Sequence, residues 1–112
     1  MCKFGVFGIT DFNRIAETFN AITGRKEDKD TIIKIGDRIW YLERLLNIKL
    51  GLTPKDDKLP ERLVKESVQE GPAKGLTCPI DELLPEFYKA GELDPMTGKP
   101  SQHILKKMGL DV

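Results

Sequence analysis

Thr31-Ile32-Ile33-Lys34-Ile35-Gly36-Asp37-Arg38-Ile39-Trp40-Tyr41-Leu42-Glu43-Arg44-Leu45-Leu46-Asn47-Ile48-Lys49 is a long stretch with a regular apolar pattern. At about 100° per residue, Ile32, Ile35, Ile39, Leu42 and Leu46 share one stripe, and Ile33 and Trp40 widen it on one side. Lys34, Asp37, Tyr41 and Arg44 lie opposite. The period predicts a helix over 31–49, capped by Asp28 or Asp30, with Gly51 beyond its end. Glu43 breaks the pattern, because it falls inside the apolar stripe near Ile32 and Ile39. A buried carboxylate needs a donor, and its i−4 and i+4 neighbours, Ile39 and Asn47, carry no positive charge. The expected partner is an arginine from elsewhere, Arg62 by preference or Arg14, whose fork would pin the connection after the helix against it. The alternative is a Glu43 that snorkels to the helix edge.

Working outward, Phe12, Ile15, Ala16, Phe19 and Ile22 recur at steps of three and four. They predict an earlier helix with Thr10 as cap, Asp11 in the first turn and Gly24 at the end. Residues 53–60 carry two prolines and read as a loop, and Pro60 suits the start of a short helix over 61–65. Residues 67–78 read as extended and irregular. Pro79 opens a further helix through Ile80, Leu83, Leu84, Phe87 and Tyr88, with Pro85 predicting a kink or a restart. After a turn-rich 91–100, Ser101 caps a last helix over Ile104, Leu105 and Met108, ended by Gly109. Strand alternation is weak everywhere. The expectation is one all-α domain over 1–112, a small irregular helical bundle with long connecting loops.

Composition narrows the function. Eighteen basic and eighteen acidic side chains give a formal net charge of zero, so no basic excess exists to displace counterions from nucleic acid. No apolar run approaches the ~20 residues that span a bilayer. The N-terminus lacks the apolar stretch of a signal peptide, and two cysteines make no disulfide framework, so a reduced, cytoplasmic protein is expected. His103 is the single histidine, without ligand-spaced partners, and reads as a solvated surface residue. Neither serine lies in a Gly-x-Ser-x-Gly turn, and no phosphate-binding loop of either common type is present. Gly71-Pro72-Ala73-Lys74-Gly75 lacks the flanking strand and helix of such a loop and reads as structural. Cys78, at a helix start, reads as a small half-buried residue. No catalytic residue is assigned.

Gly36-Asp37-Arg38-Ile39-Trp40-Tyr41-Leu42-Glu43-Arg44 resembles a signature helix, Gly-Glu-Arg-Ile-Trp-x-Leu-Glu-Arg, of the tungsten-dependent aldehyde:ferredoxin oxidoreductases. The resemblance continues through Gly51-Leu52-Thr53-Pro54-Lys55-Asp56-Asp57-Lys58-Leu59-Pro60-Glu61-Arg62. It resumes at 71–75 and 80–88 and extends to the ending around Lys107-Met108-Gly109-Leu110. It covers nearly the whole chain, in order and spacing, and corresponds to the family's C-terminal helical domain. One departure is Ala90-Gly91-Glu92-Leu93-Asp94, where many relatives read Arg-Gly-Trp-Asp.

The resemblance implies that Met1 and Cys2 match the Leu-Cys of an Asp-x-x-Gly-Leu-Cys motif. Cys2 would then be the fourth ligand of a [4Fe–4S] cluster, with Met1 near the pterin. It implies an enzyme that oxidises aldehydes to carboxylates at tungstopterin and passes electrons through the cluster to ferredoxin. The three-cysteine run and the pterin-binding segments of the family are absent from this sequence. The chain alone is therefore expected to hold no cofactor and to be inactive, its partners being the missing N-terminal and middle domains. Self-association through residues 4–9 is expected when those are absent. The alternative is an autonomous helical interaction module without redox chemistry.

Overall fold

A computed structural model describes residues 11–110. Among them the structure is all-α, and the one β-type pairing is an isolated antiparallel bridge between Leu93 and Pro100. Helix α1 runs Phe12–Thr23, α2 Lys29–Lys49, α3 Glu61–Lys65, α4 Ile80–Ala90 and α5 Gln102–Lys107, with a single 3-10 turn at Pro54–Asp56. Among the described residues, no helix is long and apolar enough to cross a membrane. The chain divides into two compact units, Met1–Trp40 and Tyr41–Val112, whose boundary falls within α2.

In the first unit, local chemistry sets the helix ends. Asp11, not Thr10, caps α1: its carboxylate accepts from the Asn13 amide at 2.9 Å. Thr10 lies outside the described residues. Gly24 ends the helix at φ +70°, a conformation that only glycine adopts without strain. The connection to α2 is held by Asn20, whose amide side chain donates to the Glu27 carbonyl at 2.8 Å and accepts from the Glu27 amide at 2.9 Å. Asp28 then caps α2 by accepting from the Thr31 amide at 2.8 Å. The expected apolar face of α1 is only partly covered. Ala16 is buried and Ile15 and Phe19 are half-buried, while Phe12 and Ile22 are exposed.

The second unit has a true core. Tyr41, Tyr88, Leu93, Ile104, Leu105, Met108 and Leu110 form one buried cluster, with Leu45 and Leu84 packed against it. Two short helices, α4 and α5, supply Tyr88, Ile104 and Leu105, and the turns after them supply Leu93, Met108 and Leu110, so each helix end must be well made. Acidic Asp81 and Glu82 open α4 and Lys89 closes it, matching the helix dipole. Pro85 sits within α4, which continues to Ala90 without a restart. Ser101 caps α5, accepting from the Ile104 amide at 3.1 Å. The irregular stretch 67–78 is folded on itself and tied to α3 by the Cys78 amide, which donates to the Leu63 carbonyl at 3.0 Å.

The orientation of α2 reverses the expectation from the wheel. Tyr41 and Arg44, on the face read as polar, are 7% and 8% exposed and point into the second unit. Leu42 and Leu46, on the apolar stripe, are exposed. A helix whose apolar residues spread over much of its circumference offers two packing faces, and period alone does not choose between them.

Candidate functional site

Arg44 is the centre of the most elaborate side-chain arrangement in the second unit. It sits in the C-terminal half of α2, buried, with its guanidinium reaching three separate segments. Nη1 and Nη2 donate to the two oxygens of Asp57 at 2.7 and 2.6 Å, a bidentate ion pair. Nη2 also donates to the Tyr88 hydroxyl at 3.1 Å, and Nε donates to the Gly98 carbonyl at 3.0 Å. The Tyr88 hydroxyl in turn donates to Asp57 Oδ2, closing a three-membered ring of charge-assisted hydrogen bonds.

Each partner is delivered by its own local device. Asp57 follows the 3-10 turn, which is fixed by a capping box: the Asp56 carboxylate accepts from the Thr53 amide and hydroxyl, both at 2.8 Å. Tyr88 projects from α4. Gly98 ends a turn in which Asp94 Oδ1 accepts from the Met96 and Thr97 amides at 2.7 and 2.9 Å. Gly98 has φ +70°, and a Cβ there would lie 2.5 Å from Arg44 Nη2, so glycine is required twice over. Tyr41 adds a further tie, its hydroxyl donating to the Gly91 carbonyl at 3.1 Å.

The electrostatics follow from the geometry. The hydrogen bonds from Arg44 hold the Asp57 carboxyl below its usual range despite partial burial, and the same bonds raise the guanidinium further. Burial, reinforced by the bond to Asp57, pushes the Tyr88 phenol up, which keeps it the neutral donor that Asp57 needs. A buried pair of this kind is stable only when its lone pairs and protons are met. Here four of the five guanidinium N–H groups have acceptors, and among the described residues no buried side-chain polar atom lacks a partner. The arrangement holds no proton poised for transfer. It joins the C-terminal part of α2, the 53–60 loop, α4 and the 94–100 turn within the second unit.

A second, smaller cluster lies at the departure noted around residue 92. Glu92 adopts φ +49°, and its carboxylate accepts from the Ser101 hydroxyl at 2.9 Å and lies 2.9 Å from His103 Nδ1. The contact with His103 is the main cause of a lowered Glu92 pKa. His103 is exposed as expected, but it is not without a partner.

The other residues singled out from sequence fall as follows. Met1 and Cys2 lie outside the described residues, as does the apolar run 4–9. Cys78 is a half-buried free thiol. Glu43 is exposed and makes no ion pair among the described residues, so the expected buried carboxylate does not exist. Arg62 pairs instead with Glu66, four residues on, at 3.7 Å, and both are largely in solvent. Arg14 is exposed. The architectural ion pair expected at Glu43 stands one residue further along, at Arg44, with an acid rather than a base as its partner. Among the described residues, no three His, Cys, Asp or Glu side chains group closely enough to hold a metal ion. The described part by itself therefore supplies no ligand set that fits an iron–sulfur cluster or a tungsten ion.

A family model described as aldehyde ferredoxin oxidoreductase, domains 2 and 3, matches residues 1–110. The chain belongs to the aldehyde ferredoxin oxidoreductase family. The tungsten-containing aldehyde ferredoxin oxidoreductase of Pyrococcus horikoshii is 38% identical over 112 residues, which is 99% of this chain and 18% of that protein. Those of Pyrococcus furiosus and Thermococcus kodakarensis are 42% and 41% identical over 90 residues, 80% of this chain and 15% of each relative. The chain thus spans less than a fifth of the length of these tungsten-containing relatives. In this aldehyde ferredoxin oxidoreductase segment, the stretch that resembles the family's signature helix ends on Arg44, and the stretch that follows it contains Asp57. The two stretches therefore meet in the structure as one ion pair.

Proposed function

We propose that this chain is the C-terminal helical segment of a tungstopterin and iron–sulfur enzyme that oxidises aldehydes to carboxylates, with ferredoxin as electron acceptor. One observation carries the reading: the family match runs from residue 1 to residue 110, while the chain spans only 15–18% of its relatives. In this reading Cys2 is the fourth ligand of a [4Fe–4S] cluster and Met1 stands near the pterin. The remaining ligands and the pterin-binding segments come from the N-terminal and middle domains. The tungstopterin, when bound, supplies the two-electron oxidation of the aldehyde. The chain's own contribution is position. In the cytoplasmic enzyme the Arg44 hub holds the second unit of this segment together. Alone, the chain is inactive, and the apolar run at residues 4–9 drives self-association.

The test is reconstitution. The chain is co-produced with the first four-fifths of the Pyrococcus furiosus relative, and aldehyde-dependent reduction of ferredoxin is measured. Activity is expected with the wild-type chain and with Cys78→Ser, and is expected to vanish with Cys2→Ser. Activity that survives Cys2→Ser removes Cys2 from the cluster. Stoichiometric tungsten in the chain purified alone overturns the division of labour. No association with the larger part under any condition would leave the chain an autonomous helical interaction module.

A further inference from the structure

A groove of about 500 Å³ runs along α4. Leu84, Pro85 and the ring of Tyr88 form one side of it, and Pro54, Leu93 and Pro95 face them. All of these residues lie within Tyr41–Val112, so the groove belongs to the second unit alone. Its walls are fixed from behind. Tyr88 is bonded to Arg44 and Asp57, Pro54 opens the 3-10 turn that delivers Asp57, and Pro95 lies in the Asp94 turn that leads to Gly98. The Arg44 hub therefore holds the groove open, and a preformed apolar cavity of roughly 300–1,000 Å³ is the usual form of a binding site. Asp81 and Lys89 stand at its two ends, on the order of 12 Å apart along the helix axis. Both are exposed, and neither side chain has an ion pair among the described residues.

We infer that this groove receives one extended segment of the part of the enzyme that lies outside this chain, apolar over about four residues, with a basic side chain at the Asp81 end and an acidic one at the Lys89 end. The inference rests on the proposed function and names a contact within it. The length follows from the groove, because about four extended residues at ~3.3 Å each span the distance from Asp81 to Lys89. The charges follow from its two ends, where an acid and a base flank an apolar centre and each lacks a partner. The source follows from the relatives, since more than four-fifths of their length lies outside the chain. A concave surface is filled by a convex one, so two copies set groove to groove would leave both open. The groove is the anchor of the contact and not its whole area, as a few well-packed residues dominate most interfaces.

The experiment measures binding of the tagged first four-fifths of the Pyrococcus furiosus relative to the chain. Pro85→Lys puts a cation on the apolar wall and is expected to weaken binding ~30-fold. The double variant Asp81→Lys/Lys89→Glu reverses both ends and is expected to weaken it ~10-fold. Glu82→Lys is the control: it changes the same first turn of α4 but does not line the groove, and should stay within about twofold. All four positions are exposed, and replacing Pro85 restores a helical hydrogen-bond donor, so the thermal midpoint of Pro85→Lys should not fall. Wild-type binding that is unmoved by Pro85→Lys and by the double variant overturns the inference and leaves the proposed function standing. An equal loss in Glu82→Lys assigns the effect to α4 rather than to the groove and also overturns it. No binding by the wild-type chain overturns the proposed function itself, and the inference with it. A concentration-dependent dimer of the chain alone that Pro85→Lys abolishes assigns the groove to a second copy and overturns the inference.

Discussion

The two units are stabilised by different means. The first, up to Trp40, has Ala16 as its one buried apolar side chain among the described residues and relies on caps and on the Asn20–Glu27 clasp. The second gathers a cluster of seven buried residues, Tyr41 and Tyr88 among them, and adds a closed ion-pair network. Hydrogen bonds at helix ends contribute about 1 kcal/mol each and act locally. A buried network with partners far apart in sequence acts globally, because its loss releases several segments at once. The first unit should therefore open at lower cost than the second.

The strongest way to break that contrast is Arg44→Ala. It leaves Asp57 partly buried without its cation and frees the Gly98 carbonyl, and is expected to cost about 3–5 kcal/mol of unfolding free energy. In native-state hydrogen exchange, amides of α4 and α5 should fall to the protection of α1. If they keep their wild-type protection, the network does not set the stability of the second unit.

Gly98→Ala attacks the same hub from the backbone. The new Cβ meets Arg44 Nη2 and the residue must hold a positive φ, so a loss of about 1–3 kcal/mol is expected. The loss should shrink in an Arg44→Met background, where the clash is relieved, and a double-mutant cycle of denaturant unfolding reads that coupling.

Acid sharpens the comparison. The folded-state pKa of Asp57 is depressed, chiefly by its hydrogen bonds from Arg44. Its stabilising contribution is therefore complete above the unfolded value of about 4 and is lost as pH falls through the lower folded value. Between pH 6 and pH 2 the wild type should lose more stability than Arg44→Met, which lacks the ion pair. Equal pH slopes in the two proteins would remove Asp57 from the acid response.

The smaller effects test the first unit and the surface. Asn20→Ala removes two hydrogen bonds to Glu27 and is expected to cost about 1–2 kcal/mol, with exchange in α4 unchanged. Arg62→Ala breaks only a solvent-exposed pair with Glu66 and should cost less than about 0.5 kcal/mol. A larger cost would mean that Arg62 has the structural role that Arg44 holds in the structure.

Much of the secondary structure was legible because its determinants are local. The period of the 31–49 stretch, Gly24 and Gly109 at helix ends, Pro60 and Ser101 at helix starts, and the prolines of the 53–60 loop each act within one turn of the chain. The exchange of Asp11 for Thr10 as cap is the one-residue ambiguity of two capping side chains in a row.

The site was barely legible. Arg44 was placed on the polar side of α2 and Glu43 on the apolar side, 100° apart, and the wheel could rank them only by assuming that the apolar stripe turns inward. Arg44 meets Asp57, Tyr88 and Gly98 at separations of 13, 44 and 54 residues, and no local pattern encodes contacts that distant. One signal was available: both segments that form the ion pair lie in stretches that resemble the family. By itself, then, the sequence determined where helices begin and end and to which family the chain belongs, because capping, period and motif order are properties of neighbouring residues. Only the tertiary structure decided that α2 turns Tyr41 and Arg44 inward and leaves Leu42 and Leu46 outside, because that choice depends on whether distant groups can supply acceptors to a buried guanidinium.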